Sequence, residues 1–199
     1  MFRKRSRQTK RTRKWIFNAT MKLLGKKPYD EIKIANITDE AGVARQSFYR
    51  NFDSKDDILR KYIEDMVEEY IVALQKECKE KGFDAAALYR LFFSMMQQNR
   101  EELLTMKNAS LMQIFYWAVS CYAKDAEDHI PMEADSRVKY QLGGIVTLAV
   151  DWINSGMTLS AEEMADRVGQ LTEKFDEDHS LLRLLAQIDF DGTGIQENE

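Results

Sequence analysis

The sequence predicts an all-α protein, and three observations carry that expectation. Only two prolines and nine glycines interrupt 199 residues. Ala, Leu, Glu, Lys, Met and Gln dominate, and these residues lose little on entering a helix. Apolar residues recur at spacings of three and four instead of alternating, which is the helical period. With 44% hydrophobic residues the chain has material for one domain or for a small head on a larger body.

The elements follow in order. The first 14 residues hold eight Lys/Arg and no acid, so they read as a flexible arm that either lies along phosphates or in a minor groove, or simply solubilises the terminus. From about Thr9 to Leu24, Trp15, Ile16, Ala19, Leu23 and Leu24 mark a first helix, which Lys26-Lys27-Pro28 ends. Ile34, Ile37 and Ala41, then Gly42-Val43 and a segment from Arg45 to Phe52, predict two short helices broken by a glycine. Ser54 before Asp56 and Asp57 reads as an N-cap with acids in the first turn, opening one long helix to about Lys79. Gly82 closes that helix and marks the hinge between head and body.

Further helices are expected at about 84 to 98, 101 to 105 and 108 to 124, before Pro131 breaks the chain. The stretch from Ala134 to Ser155 predicts another long helix, ended by Gly156. Ser160 and Glu163 then form a capping box that opens a helix to about Phe175. A short apolar patch from Leu181 to Ile188 leads into an acidic end expected to be loose. That makes about nine helices, divided as a head at 1–54, a linking helix at 55–82 and a helical body at 83–199.

Charge is distributed as unevenly as structure. Residues 1–60 carry 16 Lys/Arg against 7 Asp/Glu, whereas the remainder carries 13 against 26. The head therefore suits a polyanion and the body repels one. Cys78 and Cys121 stand singly in apolar helical surroundings, where buried free thiols are expected and a redox role is the lesser alternative. No apolar run follows the basic amino terminus and none approaches membrane-spanning length, so a cytoplasmic location is expected.

The segment from Ile34 to Phe52 has what a helix-turn-helix needs: small Ala41 where two helices approach, Gly42 for the turn, and Val43 and Phe48 to pack the second helix on the first. The outer face then displays Arg45, Gln46, Ser47 and Arg50, side chains of the types that read base edges, while Tyr49 and Lys55 can bond phosphates. The run Ile32-Lys33-Ile34-Ala35-Asn36-Ile37-Thr38-Asp39-Glu40-Ala41-Gly42-Val43-Ala44-Arg45-Gln46-Ser47-Phe48-Tyr49-Arg50-Asn51-Phe52-Asp53-Ser54-Lys55 resembles the DNA-binding signature of the TetR family. The resemblance spans about 50 residues with the first helix included. It implies that Arg45, Gln46 and Ser47 face the major groove, that Tyr49 and Lys55 clamp phosphates, and that Lys33 and Thr38 belong to the DNA-binding set. Three positions depart from the family pattern: Lys33 replaces a Thr or Ser, Thr38 sits where Ala is usual, and Ala44 replaces a hydroxyl cap.

For the body the resemblance is architectural. Gly143-Gly144-Ile145, Trp152-Ile153 and Gly156, then the helix opened at Ser160, are similar to the last two helices of many family members. It implies a homodimer through the helices at about 134–156 and 160–175, with Gly143, Gly144 and Ala149 permitting close approach and Val150 and Ile153 filling the contact. A monomeric core is the alternative. Phe92, Met95, Met112, Phe115, Tyr116 and Trp117, with Met96, Met106 and Tyr122 nearby, either line a small-molecule effector cavity by the family analogy or are ordinary helical core.

Enzymatic classes find no support. There is no phosphate loop, no HExxH and no nucleophile motif, and the only histidines, His129 and His179, lie far apart. Asp189 to Gly194 hints at a calcium loop but lacks the ligand spacing and the closing Glu. No cofactor or metal is expected. The resemblance leaves two functions open: a ligand-released homodimeric repressor on a pseudo-palindromic operator of double-stranded DNA, or a DNA-bound adaptor whose body docks a protein.

Overall fold

Local chemistry sets the helix boundaries of the computed structural model, which describes residues 7–127, 135–175 and 180–187. Helix α1 spans Arg7–Leu24, a 3₁₀ turn Tyr29–Glu31, α2 Ile34–Ala41, α3 Arg45–Tyr49 and α4 Lys55–Lys81. The body continues with α5 at Ala85–Gln98, α6 at Arg100–Asn108, α7 at Met112–Glu127, α8 at Asp135–Asn154, α9 at Ala161–Phe175 and α10 at Ser180–Gln187. No strand occurs among the described residues, and none of their helices is long and apolar enough to cross a membrane.

Side chains satisfy the orphan amides at several starts. The Asp57 amide donates to Ser54 Oγ over 3.1 Å and the Ala87 amide to Asp84 Oδ1 over 3.2 Å. At α9 the box is reciprocal, with the Glu163 amide 3.1 Å from Ser160 Oγ and the Ser160 amide 2.8 Å from Glu163 Oε2.

Four differences from the sequence expectations have physical causes. The basic run is not wholly an arm: α1 begins at Arg7, Arg11 stacks 4.5 Å over Trp15, and Arg13 is tucked 5.3 Å over Phe52 and 3.8 Å from Asp65. Residues 1–6 lie outside the described residues. The helix expected from 108 starts only at Met112, because Ser110 takes φ +59° and turns the chain. Helix α6 runs longer than expected because Leu103 and Met106 are both buried.

The fourth difference is a tenth helix on the apolar patch from Leu181, to which the sequence reading assigns no helix; the acidic end beyond it lies outside the described residues. An eight-residue helix is marginal by itself, and α10 forms because it packs on α4 and α8 and buries Leu181 and Leu182.

Packing then positions the site. Helix α1 lies on α2, and Ile16, Ile32, Ile37, Phe48 and Phe52 close the core of the head. Helix α4 runs from that core into the body, where α7 and α10 pack on it and α5 lies along α9. Cys78 on α4 is half-buried; burial first and Glu77 second push its thiol up, which keeps it protonated. Cys121, His129, His179 and the stretch 189–194 fall where side chains are not described.

Candidate nucleic-acid interface and effector cavity

The recognition face is built from a turn and an anchor. Gly42 ends α2 at φ +64°, ψ +34°, a left-handed conformation that a β-carbon disfavours. Its amide donates to the Asp39 carbonyl at 3.2 Å and the Val43 amide to the Thr38 carbonyl at 3.0 Å, the double closure that reverses a chain at a helix end. Helix α3 leaves at once, and Phe48 drives into the core of the head. With Phe48 inside, Arg45, Gln46, Tyr49 and Arg50 stand exposed and Ser47 half-buried. Ala44 offers no side-chain cap, so α3 is held by Phe48 and by the Asn51 side chain, which donates to the Ser47 carbonyl at 2.7 Å.

The other expected DNA-binding residues divide. Lys33 is exposed at the start of α2, where its amide donates to Asn36 Oδ1 at 3.0 Å. Thr38 is only 1% exposed and its hydroxyl donates to the Ala35 carbonyl at 3.0 Å. A side chain enclosed in this way presents no surface to a phosphate, which corrects the expectation for Thr38. Lys55 is half-buried, and its ammonium donates to the carbonyls of Tyr29 at 2.7 Å and Ile32 at 3.3 Å while lying 4.1 Å over the Tyr29 ring. It therefore ties the start of α4 to the 3₁₀ turn. The Tyr29 hydroxyl donates to Asp56 in the same clasp, and burial together with the Asp56 carboxylate pushes that phenol up, keeping it a donor.

The junction between head and body contains residues the sequence did not single out. The Tyr62 ring on α4 stacks on Phe17 of α1, centroids 4.0 Å apart and planes 13° apart. Its hydroxyl donates to Asn99 Oδ1 at 2.7 Å, and the Asn99 side chain donates to the Met95 carbonyl at 2.8 Å, between α5 and α6. Burial pushes the Tyr62 phenol up, and Glu102 and Glu69 add to the shift. Asp57 is enclosed beside this junction, accepting from the Asp53 amide at 3.0 Å and paired with Lys61 at 2.7 Å and with Arg60. Burial would raise its carboxyl, but the Lys61 and Asp53 hydrogen bonds and the Lys61 and Arg60 charges outweigh it and hold the group below the ordinary carboxylate range. In the sequence, Tyr62 is one more apolar residue of a stripe, and only its pairing with Phe17 and Asn99 distinguishes it.

In the body, α4, α5, α7, α8 and α10 enclose a cavity of about 90 Å³. Phe92, Met95 and Phe115 stand on its wall, with Met66, Tyr70 and Met96. Met112 is buried away from that wall, and Tyr116 and Trp117 face outward, 45% and 54% exposed. Helical phase separates them: Phe115 points inward, and its two successors turn away from it. Of the residues expected to make the dimer contact, Ala149 and Ile153 are fully buried within the protomer, Val150 is half-buried, and a β-carbon built on Gly143 or Gly144 meets nothing within 4 Å. Ala149 and Ile153 thus belong to the protomer's own core, while Tyr140 at 65% and Leu171 at 41% exposure lie on the outer surfaces of α8 and α9.

A short exposed helix anchored on a basic three-helix head and joined by one long helix to a helical body is an arrangement suited to holding duplex DNA. Residues 16–62 match the model of the bacterial regulatory proteins of the tetR family. Three solved structures share the fold. The fatty acid degradation regulator FadR from Bacillus halodurans aligns with a TM-score of 0.56 and 16% identity over 85% of this chain and 96% of that one. The dihydroxyacetone kinase operon activator DhaS gives 0.50 and 17% over 83% and 96%. A TetR transcriptional regulator from Streptococcus agalactiae 2603V gives 0.50 and 16% over 83% and 96%. No curated protein matches by sequence. Through residues 16–62 the chain carries a DNA-binding domain of the tetR type, and the likeness of the solved structures extends the shared fold over the helical body.

Proposed function

We propose that the protein is a homodimeric repressor that binds a pseudo-palindromic operator through α3 and is released when an apolar small molecule enters the body. The observation that carries the reading is the exposed row of Arg45, Gln46, Tyr49 and Arg50 around a fully buried Phe48. Burying Phe48 fixes the rotation of α3, so the row faces outward without rearrangement, with Arg45 and Gln46 suited to guanine and adenine edges and Tyr49 to a phosphate. Lys33 adds a charged phosphate contact at the start of α2, and Lys55 acts chiefly by holding α4 in place. One recognition helix reads few base pairs, which favours pairing of two heads by a dimer.

Exposed Tyr140 and Leu171 and the open face at Gly144 support a contact through α8 and α9. Phe92, Met95 and Phe115 support an apolar effector, since among the described residues no charged side chain stands on the cavity wall. Met95 is shared between that wall and the Asn99–Tyr62 junction, which gives an occupant a short path to α1. A second reading, an adaptor that docks a protein, draws on exposed Tyr116 and Trp117. A partner retained by the wild type but not by Trp117→Ala would favour it.

Hydroxyl-radical footprinting on retained genomic DNA tests the proposal. Two protected patches on one face, a whole number of helical turns apart, are expected, with Gly144→Arg protein sedimenting as a monomer and losing them. A single patch that persists in the variant would refute the dimeric reading.

A further inference from the structure

Helix α10 forms one wall of the effector cavity with four leucines, Leu181, Leu182, Leu184 and Leu185. Beneath it remain only about 90 Å³, well under the ~300 Å³ at which small-molecule sites begin. As it stands the space admits little more than a few methyl groups. The body of apolar side chains best able to leave it is that of α10 itself, because α10 has eight residues whereas the other walls belong to helices of 14 to 27.

The attachment of α10 is specific at both ends. Its first buried amide, that of Leu181, donates at 3.0 Å to Oε1 of Gln141, a buried glutamine on α8. Near its other end the Leu185 carbonyl accepts from Gln75 Nε2 of α4 at 3.3 Å, and the Arg183 guanidinium lies 4.1 Å over the Phe83 ring. Between these ends the helix is held by leucine packing. Eight residues do not sustain a helix unaided, so the helical state of α10 depends on its docking.

We propose that α10 is an internal occupant of the effector site, a latch that an apolar effector displaces, its leucines standing where the effector's hydrocarbon body goes. The proposal rests on the effector reading above. Displacement also takes the Leu181 amide from Gln141 Oε1, and leaving a buried acceptor without that donor is unfavourable. The effector that fits is therefore a largely hydrocarbon or aromatic molecule with one neutral hydrogen-bond donor, a hydroxyl or an N–H. A charged head group finds no counter-charge among the described residues of the wall.

N-phenyl-1-naphthylamine, an uncharged aromatic with a single N–H, is the probe. Its fluorescence is titrated against the full chain, and hydrogen exchange is followed at residues 180–187 with and without it. Binding should speed exchange across 180–187. Gln75→Met, which loosens the far end of α10 and leaves the cavity wall intact, should lower the Kd about three- to tenfold, the worth of one hydrogen bond. Probe binding that leaves exchange at 180–187 unchanged or slows it overturns the latch and spares the effector reading, and this exchange result holds whether or not the variant folds. No uptake by either protein overturns the effector reading and the latch with it.

Discussion

Replacing Tyr62 by Phe isolates the coupling between head and body, because it keeps the ring stacked on Phe17 and removes only the 2.7 Å hydrogen bond to Asn99. Both groups are half-buried, so water partly replaces the lost donor and the change should destabilise the protein by about 1 kcal/mol. In a chain of this size that corresponds to a fall in Tm of about 2–4 °C. Tyr62→Ala also removes the stack and leaves a void beside Phe17, which should bring the loss to about 3 kcal/mol. Differential scanning calorimetry gives both stability losses, and fluorescence anisotropy on retained DNA gives the affinity and its response to the cavity probe. If Asn99 transmits the state of the cavity to α1 through Tyr62, the Phe variant should bind DNA with near wild-type affinity and respond less to N-phenyl-1-naphthylamine. A Tyr62→Phe protein with unchanged Tm and an unchanged response would refute the reasoning, since neither stability nor signal would pass through that bond.

Other changes separate building residues from reading residues. Lys55→Met removes the ties to the Tyr29 and Ile32 carbonyls and should cost about 1–3 kcal/mol of stability; an unaltered denaturation midpoint would return Lys55 to a purely DNA-facing role. Arg45→Ala, at an exposed position, should leave stability within about 0.5 kcal/mol while relaxing preference at one operator position by about 1–3 kcal/mol, read from binding to single-base operator variants. The depressed Asp57 carboxyl contributes stability that is full above the ordinary carboxyl value of about 3.9 and is lost as pH falls through the lower folded value. Asp57→Asn should therefore be less stable at pH 7 and flatter in acid, and urea denaturation at pH 7 and pH 3 checks that the gap closes on acidification.

What was legible in the sequence is what local chemistry decides. Gly42 must take the left-handed turn, Ser54 and Ser160 must cap, and Phe48 must face inward, each of which can be read from a few neighbouring residues. The long stripe of α4 and the basic head were equally plain. What escaped depends on contacts distant in sequence. Helix α10 exists because Gln141 and Gln75 hold its two ends from 40 and 110 residues away. Ser110 turns the chain without a Gly or Pro to announce it. Thr38 resembles a DNA-facing hydroxyl until its neighbours enclose it, and Tyr116 and Trp117 belong to the same aromatic cluster as Phe115 until helical phase turns them outward. Composition identifies such residues without their direction.

The central claim is that α3 reads a specific operator, twice, through the face that Phe48 orients. Sequencing of genomic fragments retained by the purified protein at physiological salt, beside an Arg45→Ala/Tyr49→Ala control, tests it most directly. The account predicts a recurring pseudo-palindrome that the control loses. Diffuse enrichment, equal in both proteins, would contradict it and reduce the head to a charged grip on any duplex.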